Sequence, residues 1–413
     1  MDVKFLESIR KELTENILPY WEKYSRDTSP NSSGFFGKID NDNSVDKEIS
    51  RSIVMTSRFL WAYSCAARLL QNDHYLEMAD FAYETIINKF FDKNNDGVFW
   101  SVFPDGTPDV TKKQIYGEAF CTYGLSEYAA ALVDLRKDHK NAEIAMNKAL
   151  DLFKLIEKFA FDSVHGGYIE ACAENWSHTD DMRLSAKDMN CAKSMNTNLH
   201  VMEAYTNLFR TIPVVMPENI SDRNLVGSAL KKLIHTTNIK IRQDNEHLGL
   251  FFDMDWFRLD SEISFGHDIE ASWLLWEAAC ELNDENIKIE TKPISIRMAE
   301  TALNEGFDKE SGALENFINN GIKNRTRVWW NQAEALNGFY NAWELTQDSK
   351  YSDAVLNIWS WIQNFQSDKK GGDWWAEVFE DGKPNMSEPK GGNWKTAYHN
   401  ARCCFELLRR SGL

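Results

Sequence analysis

The sequence predicts an all-α fold, an (α/α)6 barrel of about twelve helices, and three observations predict it. Apolar residues recur at three- and four-residue intervals through most of the 413-residue chain, the period of a helix. Turns rich in glycine and aromatic residues interrupt these stretches every 60 to 80 residues or so, roughly the spacing of a repeat array. The room between consecutive turns suits two helices with their links, at a rise of about 1.5 Å per residue.

The turns are GFFGKIDND from Gly34, FDKNNDGVFWSVFPDG from Phe91, FDSVHGGYIEA from Phe161, HLGLFFDMDW from His247, FDKESGALENF from Phe307 and GGDWWAEVFEDG from Gly371. Helices are expected to centre near residues 13, 62, 82, 123, 150, 203, 230, 274, 300, 337, 357 and 402. Each even-numbered helix follows a turn. If the pairs close into a ring, the even helices are inner and buried on both faces, and the odd helices expose one. Strand is expected only in the turns, where FFGKI, VFWSV and WWAEVF suit short hairpins.

No Gly/Ser- or Pro-rich linker divides the chain, so residues 1–413 are expected to form a single domain. The N-terminal MDVKFLESIRKEL reads as an amphipathic helix, without the apolar run of a signal peptide. No stretch approaches the roughly 18 apolar residues of a membrane span. Seven cysteines with no CxxC pair suggest reduced thiols and a cytoplasmic protein. A net charge of −17 argues against nucleic acid or an anionic membrane as partner and suits a neutral small molecule. A monomer or weak homodimer is expected.

Three histidines stand near the starts of inner helices: His200 in MNTNLHVMEAY, His267 in SFGHDIEASWLLW and His399 in NWKTAYHNAR. Imidazole is the side chain that both takes and gives a proton near neutrality. Arg58 belongs to the second helix, Tyr116 and Glu118 to the fourth, Trp329 and Trp330 to the tenth. All six inner helices therefore bring polar or aromatic groups towards one mouth. Their N-termini also favour an anionic intermediate there. Three imidazoles can hold zinc, but no HxH or HExxH anchors such a site. The other six histidines, His247 among them, read as surface or turn residues. Arg58 lies in the apolar segment RFLWAYSCAARLL, where a buried cation is costly unless partnered. Glu270 follows His267 by one turn on the same face, placed to orient an imidazole, bind a hydroxyl or form an ion pair. Sugar rings present apolar faces, for which Trp329, Trp330 and Trp394 are candidate platforms. Trp374 and Trp375 are candidates for a second ring.

These segments resemble the cellobiose 2-epimerases of the N-acylglucosamine 2-epimerase superfamily. The matching stretches are GFFGKIDND, TSRFLWAYS, IYGEAFCTYGLSEY, MNTNLHVMEAY, FGHDIEASWLL, WWNQAEALNGFY, GGDWWAEVFEDGKP and GGNWKTAYHNAR, spread over nearly the whole chain. The resemblance implies an (α/α)6 barrel that converts the reducing-end glucose of a β-1,4-linked disaccharide (cellobiose, lactose or mannobiose type) to mannose, without cofactor or metal. It also implies that His267 and His399 are the acid–base pair and that His200 stabilises the developing oxyanion. Arg58 would donate near O1 and O2 of the sugar, and Tyr116, Asn196 and Asp188 would bind it. The chain departs from the family pattern at Glu118, where Gln is common, at Asn198, where His is common, and at Thr396–Ala397, where Cys-Pro is common. Neighbouring activities are aldose–ketose isomerisation and 2-epimerisation of N-acylglucosamine. A glycoside hydrolase would need opposed carboxylates, for which Glu118, Glu270 and Glu334 are available. A sugar-binding protein would need the platforms alone.

Overall fold

A computed structural model describes residues 1–30, 32 and 34–412. The amphipathic start forms α1, which runs Val3–Lys11 and continues through a wider turn at Glu12–Ile17 into Leu18–Tyr24. Then follow α2 (Ile53–Leu70), α3 (Leu76–Thr85), α4 (Ile115–Ala131), α5 (His139–Phe159), α6 (Met195–Val215) and α7 (Ile220–Thr236). The series ends with α8 (Phe265–Leu282), α9 (Glu285–Thr301), α10 (Trp329–Thr346), α11 (Ser349–Trp361) and α12 (Tyr398–Ser411). Each even helix packs on the next even helix, and α12 packs on α2, closing an inner ring. The odd helices lie outside, and the fold is the expected (α/α)6 barrel. Every residue of α4 is buried, as an inner helix requires. Close packing within the ring depends on glycine. A Cβ at Gly124 of α4 would stand 2.8 Å from the Ser57 carbonyl of α2, and one at Gly338 of α10 would stand 2.7 Å from the Ile269 carbonyl of α8. None of the described helices is long and apolar enough to cross a membrane, and all seven cysteines are free.

The two poles of the barrel are built differently. Away from the turns, four inner helices pass to outer ones through two residues, Gln71–Asn72, Lys137–Asp138, Asn283–Asp284 and Gln347–Asp348, and α6 passes to α7 through residues 216–219. The first residue of each pair takes a left-handed conformation and the second caps the next helix with its side chain. At the mouth, the glycine-rich turns carry strands of two or three residues. FFGKI, VFWSV and WWAEVF contribute Lys38–Ile39, Ser101–Val102 and Glu377–Val378, each turning back within its own module as expected, Ser101–Val102 against Pro108–Val110, Ile39 against Val45 and Val378 against Pro384, and each also pairing with another module. The strand before each inner helix pairs with the turn of the next module. Arg51–Ser52 thus meets Ser101–Val102, Lys113–Gln114 meets Ala171–Cys172, and Lys193–Ser194 meets Phe251–Phe252. Ile263–Ser264 meets Phe317–Asn319 and Arg327–Val328 meets Glu377–Val378, and the pairing of Gly391–Gly392 with Lys38–Ile39 joins the two ends of the chain. Six such pairs between modules satisfy backbone groups around the whole rim.

A second set of bonds repeats with the ring. A basic residue just before an inner helix enters a buried ion pair with the aspartate that opens the preceding turn. The pairs are Arg51–Asp27 at 3.3 Å, Lys113–Asp92 at 2.8 Å, Lys193–Asp162 at 2.6 Å, Arg327–Asp308 at 2.8 Å and Lys390–Asp368 at 2.6 Å. In the fourth turn Gln243 and Ile263 stand where the ionic partners would be, so both charges are absent together. Removing one member alone strands the other. Lys193→Met is expected to cost about 3–5 kcal/mol, whereas Lys350→Met in the exposed Lys350–Glu300 pair costs about 1 kcal/mol or less. Urea unfolding of the two variants checks this, and equal, small losses would contradict it.

Candidate active site

The first turns of four inner helices, α4, α6, α8 and α10, are tied to the rim by their fourth residues. Gln332 of α10 accepts from the Leu314 N–H (2.9 Å) and donates to the Leu314 carbonyl (2.7 Å). Asn198 of α6 does the same at Tyr168, at 2.8 and 3.1 Å. Asp268 of α8 accepts from Leu248 N–H, and Glu118 of α4 from Val98 N–H, both at 2.9 Å. The departures from the family pattern at Glu118 and Asn198 thus fall on residues that set helix rotation, outside the cavity. These tethers turn the adjoining face of each helix inward.

That face lines a cavity of about 210 Å³ formed by Arg58, Tyr116, Asn196, His200, His267, Glu270, Trp329, Trp330, Trp394 and His399. The three histidines, on α6, α8 and α12, share one pocket. Trp330 stands between two of them, its ring 4.6 Å from His267 and 5.8 Å from His399 by centroids. Tyr116 meets His200 edge-on at 5.1 Å. Each imidazole is anchored through Nδ1: His200 to Glu203 Oε2 (2.8 Å), His267 to Ser264 Oγ (2.7 Å) and His399 to Glu334 Oε1 (2.7 Å). Arg58 donates from Nη1 to the Trp394 carbonyl (2.8 Å) and from Nη2 to Tyr116 Oη (2.9 Å), and no carboxylate of the described residues pairs with it. It is a buried cation whose charge faces the cavity. The Asn196 side-chain oxygen and the Trp329 indole N–H are also buried there without partners.

Several expectations need correcting. Asp188 is outside the cavity, in an adjoining cleft that shares Asn196 and His267 with it, and Asp188 accepts from Ser185 Oγ at 2.6 Å. Trp374 is fully buried and donates to Glu12 of α1 (2.9 Å), while Trp375 packs under Lys390, so neither lines the cavity. His247 is no surface residue: it is buried between Asp268 (2.7 Å) and Glu305 (3.2 Å). Of the roles open to Glu270, which lines the cavity, the structure shows the ion pair, with Arg402 at 2.5 Å.

Arg402 is the main residue the sequence reading missed. Its guanidinium is buried and meets three carboxylates: Glu203 through Nη1, and Glu270 and Glu334 (2.8 Å) through Nη2. Tyr398 also donates to Glu203, and Trp273 donates to Glu334 at 3.1 Å. The signal was present in HVME, HDIE and HNAR, where a charged residue follows each of the three histidines at i+3, on the same helix face. Donor atoms of Glu270, Glu334 and His399 lie within 4.8 Å of one another, and the Arg402 guanidinium binds both carboxylates of that group. Side by side on one cation, Glu270 and Glu334 do not oppose each other across a space for a glycosidic bond, and Glu118 is tied to the rim. The arrangement does not suit hydrolysis.

The N-acylglucosamine 2-epimerase (GlcNAc 2-epimerase) family model matches residues 34–403. This chain belongs to that family. The epimerase is 38% identical to a cellobiose 2-epimerase of Bacteroides fragilis, over 99% of this chain and 100% of the relative. It is 35% identical to a cellobiose 2-epimerase of Dictyoglomus turgidum over the same shares. The solved structure of cellobiose 2-epimerase from Bacillus thermoamylovorans superposes with a TM-score of 0.89 at 34% identity, covering 98% of this chain and 99% of that one.

In the epimerase, burial governs protonation. It lowers His200, and it drives His267 down to about 3, with the nearby His200 adding to the effect. Burial and the charges of Arg58 and Arg402 hold His399 well below the usual imidazole range. All three are therefore neutral at pH 7. Burial and then the charge of Glu334 push Glu270 up to about 8, and burial raises Glu334 as well, so the two carboxylates on Arg402 take up a proton near neutrality as a pair. Burial raises Glu118 to about 8 as well. Because its folded pKa lies above its unfolded value, Glu118 holds a proton in the native state that it loses on unfolding, between about pH 4.5 and 8. Stability falls with rising pH across that window. Glu118→Gln, which keeps the acceptor and carries no proton to lose, is expected to gain in melting temperature over wild type progressively from pH 5 to 8 and then level off. A difference independent of pH would contradict this.

Proposed function

We propose that the chain interconverts glucose and mannose at the reducing end of a β-1,4-linked disaccharide of the cellobiose type, by proton transfer at C2 and without a cofactor. One observation carries the reading: two neutral imidazoles, His267 and His399, flank one indole in one cavity, each anchored through Nδ1; the Glu334 carboxylate leaves His399 Nε2 free to take a proton, and the Ser264 hydroxyl admits either tautomer of His267. The sugar ring opens as the O1 proton is shuttled to O5, and the aldehyde acidifies C2. One imidazole takes the C2 proton. The enediolate that forms faces Arg58, whose buried charge has no carboxylate partner among the described residues, and His200 adds a polar contact to the developing oxyanion. A proton given to the opposite face of C2 by the second imidazole, or by the first after rotation about C2–C3, completes the inversion. Tyr116 and Asn196 would bind hydroxyls, with Trp329 and Trp330 against the ring. Trp394 is 42% exposed at the mouth, which suits a second ring, and Asp188 lines the cleft beside it. The relatives named cellobiose 2-epimerase support a disaccharide substrate. All these groups come from one chain, so a monomer suffices, and seven free cysteines fit a cytoplasmic setting.

Incubation with cellobiose in D₂O, followed by NMR, is expected to give glucosyl-mannose with deuterium at C2. A ketose would indicate isomerisation, and free glucose hydrolysis. His267→Ala and His399→Ala are each expected to lower turnover about 10²–10⁴-fold while the protein stays folded. Full activity in either variant would remove that histidine from the mechanism. A base is lost as pH falls through its folded pKa, and both imidazoles are depressed. The acid limb of kcat/KM should therefore lie below pH 6.5, and a limb at or above that value would contradict the assignment.

A further inference from the structure

Trp394 stands at the apex of a tight turn in which Gly392 N–H donates to the Lys395 carbonyl at 2.9 Å. Gly392 has φ +150°, and a Cβ there would fall 2.4 Å from the Gly37 carbonyl, so only glycine lets the turn lie this close to the opposite rim. The neighbouring Asn393 clips the turn in place. Its Oδ1 accepts from Ser52 N–H (2.9 Å) and its Nδ2 donates to the Ser50 carbonyl (2.9 Å). Its backbone N–H donates to Gly37, and its carbonyl accepts from Ser52 Oγ. Ser52 is the N-cap of α2, accepting from Met55 N–H at 3.1 Å, and α2 carries Arg58. Arg58 in turn donates to the Trp394 carbonyl at 2.8 Å. The bonds thus close a short circuit from Asn393 through Ser52, α2 and Arg58 to Trp394.

Nothing else fixes the guanidinium so directly. Its Nε has no partner, its other hydrogen bond is to Tyr116, and the rest of its surroundings are the rings of Phe120 and Tyr398 at 4.6 and 4.9 Å. Asn393 is half-buried and does not line the cavity. We propose that Asn393 is a positioning residue for the epimerisation, setting the Arg58 guanidinium and the Trp394 indole in register on one wall of the site. The inference rests on the epimerase reading above. Displacing a reacting or charge-bearing group by as little as 1 Å costs up to about 10²-fold in rate, so loss of the clip should reach turnover.

Asn41 provides the control. It ties the same two chain segments together, donating to the carbonyls of Met386 (3.2 Å) and Glu388 (2.8 Å), but takes no part in the Arg58 circuit. Kinetics on cellobiose and thermal midpoints are measured for wild type, Asn393→Ala, Asn393→Asp and Asn41→Ala. Asn393→Ala is expected to lose about tenfold or more in kcat/KM, with kcat carrying part of the loss. Asn393→Asp, which keeps the acceptor facing Ser52, should lose less. Asn41→Ala should stay within about twofold of wild type, at a melting temperature lowered as much as that of Asn393→Ala. A purely structural role would lower both melting temperatures and leave kcat of the folded enzyme unchanged. Wild-type kcat in Asn393→Ala, or an equal kcat loss in Asn41→Ala, overturns the proposal while the epimerase reading stands. If Asn393→Ala does not fold, Asn393→Asp against Asn41→Ala decides on the same criterion. Absence of turnover in wild type would instead fell the epimerase reading, and the positioning role with it.

Discussion

The site depends on one buried cation. Arg402 faces Glu203, Glu270 and Glu334 with a single guanidinium, and each carboxylate does something different with the contact. Glu203 passes it to His200 and Glu334 to His399, while Glu270 has no imidazole to serve. A buried charge network is costly when incomplete and rigid when every member is satisfied. The one positive charge keeps Glu203 ionised against burial, which by itself would push its carboxyl up. The imidazoles so held cannot swing away from the cavity without breaking bonds in a region closed to water.

Arg402 lies on α12, the last helix, so the hub exists only once the ring has closed. Closure is secured at the mouth by the pairing of Gly391–Gly392 with Lys38–Ile39 and, below it, by α1. There the buried Glu12 accepts from Ser367 and Trp374 of the final turn. The same rim pairs and buried ion pairs recur from module to module. The pole that carries the chemistry is therefore the heavily cross-linked one, and the opposite pole makes do with links of two to four residues. A fixed frame suits a reaction whose barrier is lowered by groups already aimed at the charge that develops.

What was legible in the sequence follows from what is periodic. Helical spacing and the recurring turns gave twelve helices and their order, and placing His200, His267 and His399 near inner N-termini put them in one cavity. The i+3 partners were equally periodic. Reading His-x-x-Glu and His-x-x-Arg as same-face pairs would have named Glu203 and Arg402 beside Glu270. Other features had no local signal. A strand of two residues has no alternation to read, and its partner here lies a module away or, for Lys38–Ile39, at the other end of the chain. Trp374 looked like a mouth residue because its neighbours in sequence are polar, yet its indole is committed to Glu12 across the ring closure. His247 sits in a turn, as its sequence suggested, but the fourth residue of α8 draws it inward as part of a rim tether.

The central claim is that burial keeps His200 and His399 neutral while Glu203 and Glu334, which share the Arg402 guanidinium, hold the remaining proton of each on Nδ1 before any sugar arrives. Nitrogen-15 NMR of the histidine rings at pH 7 reads this directly, since imidazolium and the two neutral tautomers have distinct ring-nitrogen shifts. The account predicts that His200 and His399 are neutral with the proton on Nδ1, donated to Glu203 and Glu334. An imidazolium at either position, or the proton on Nε2, would contradict it.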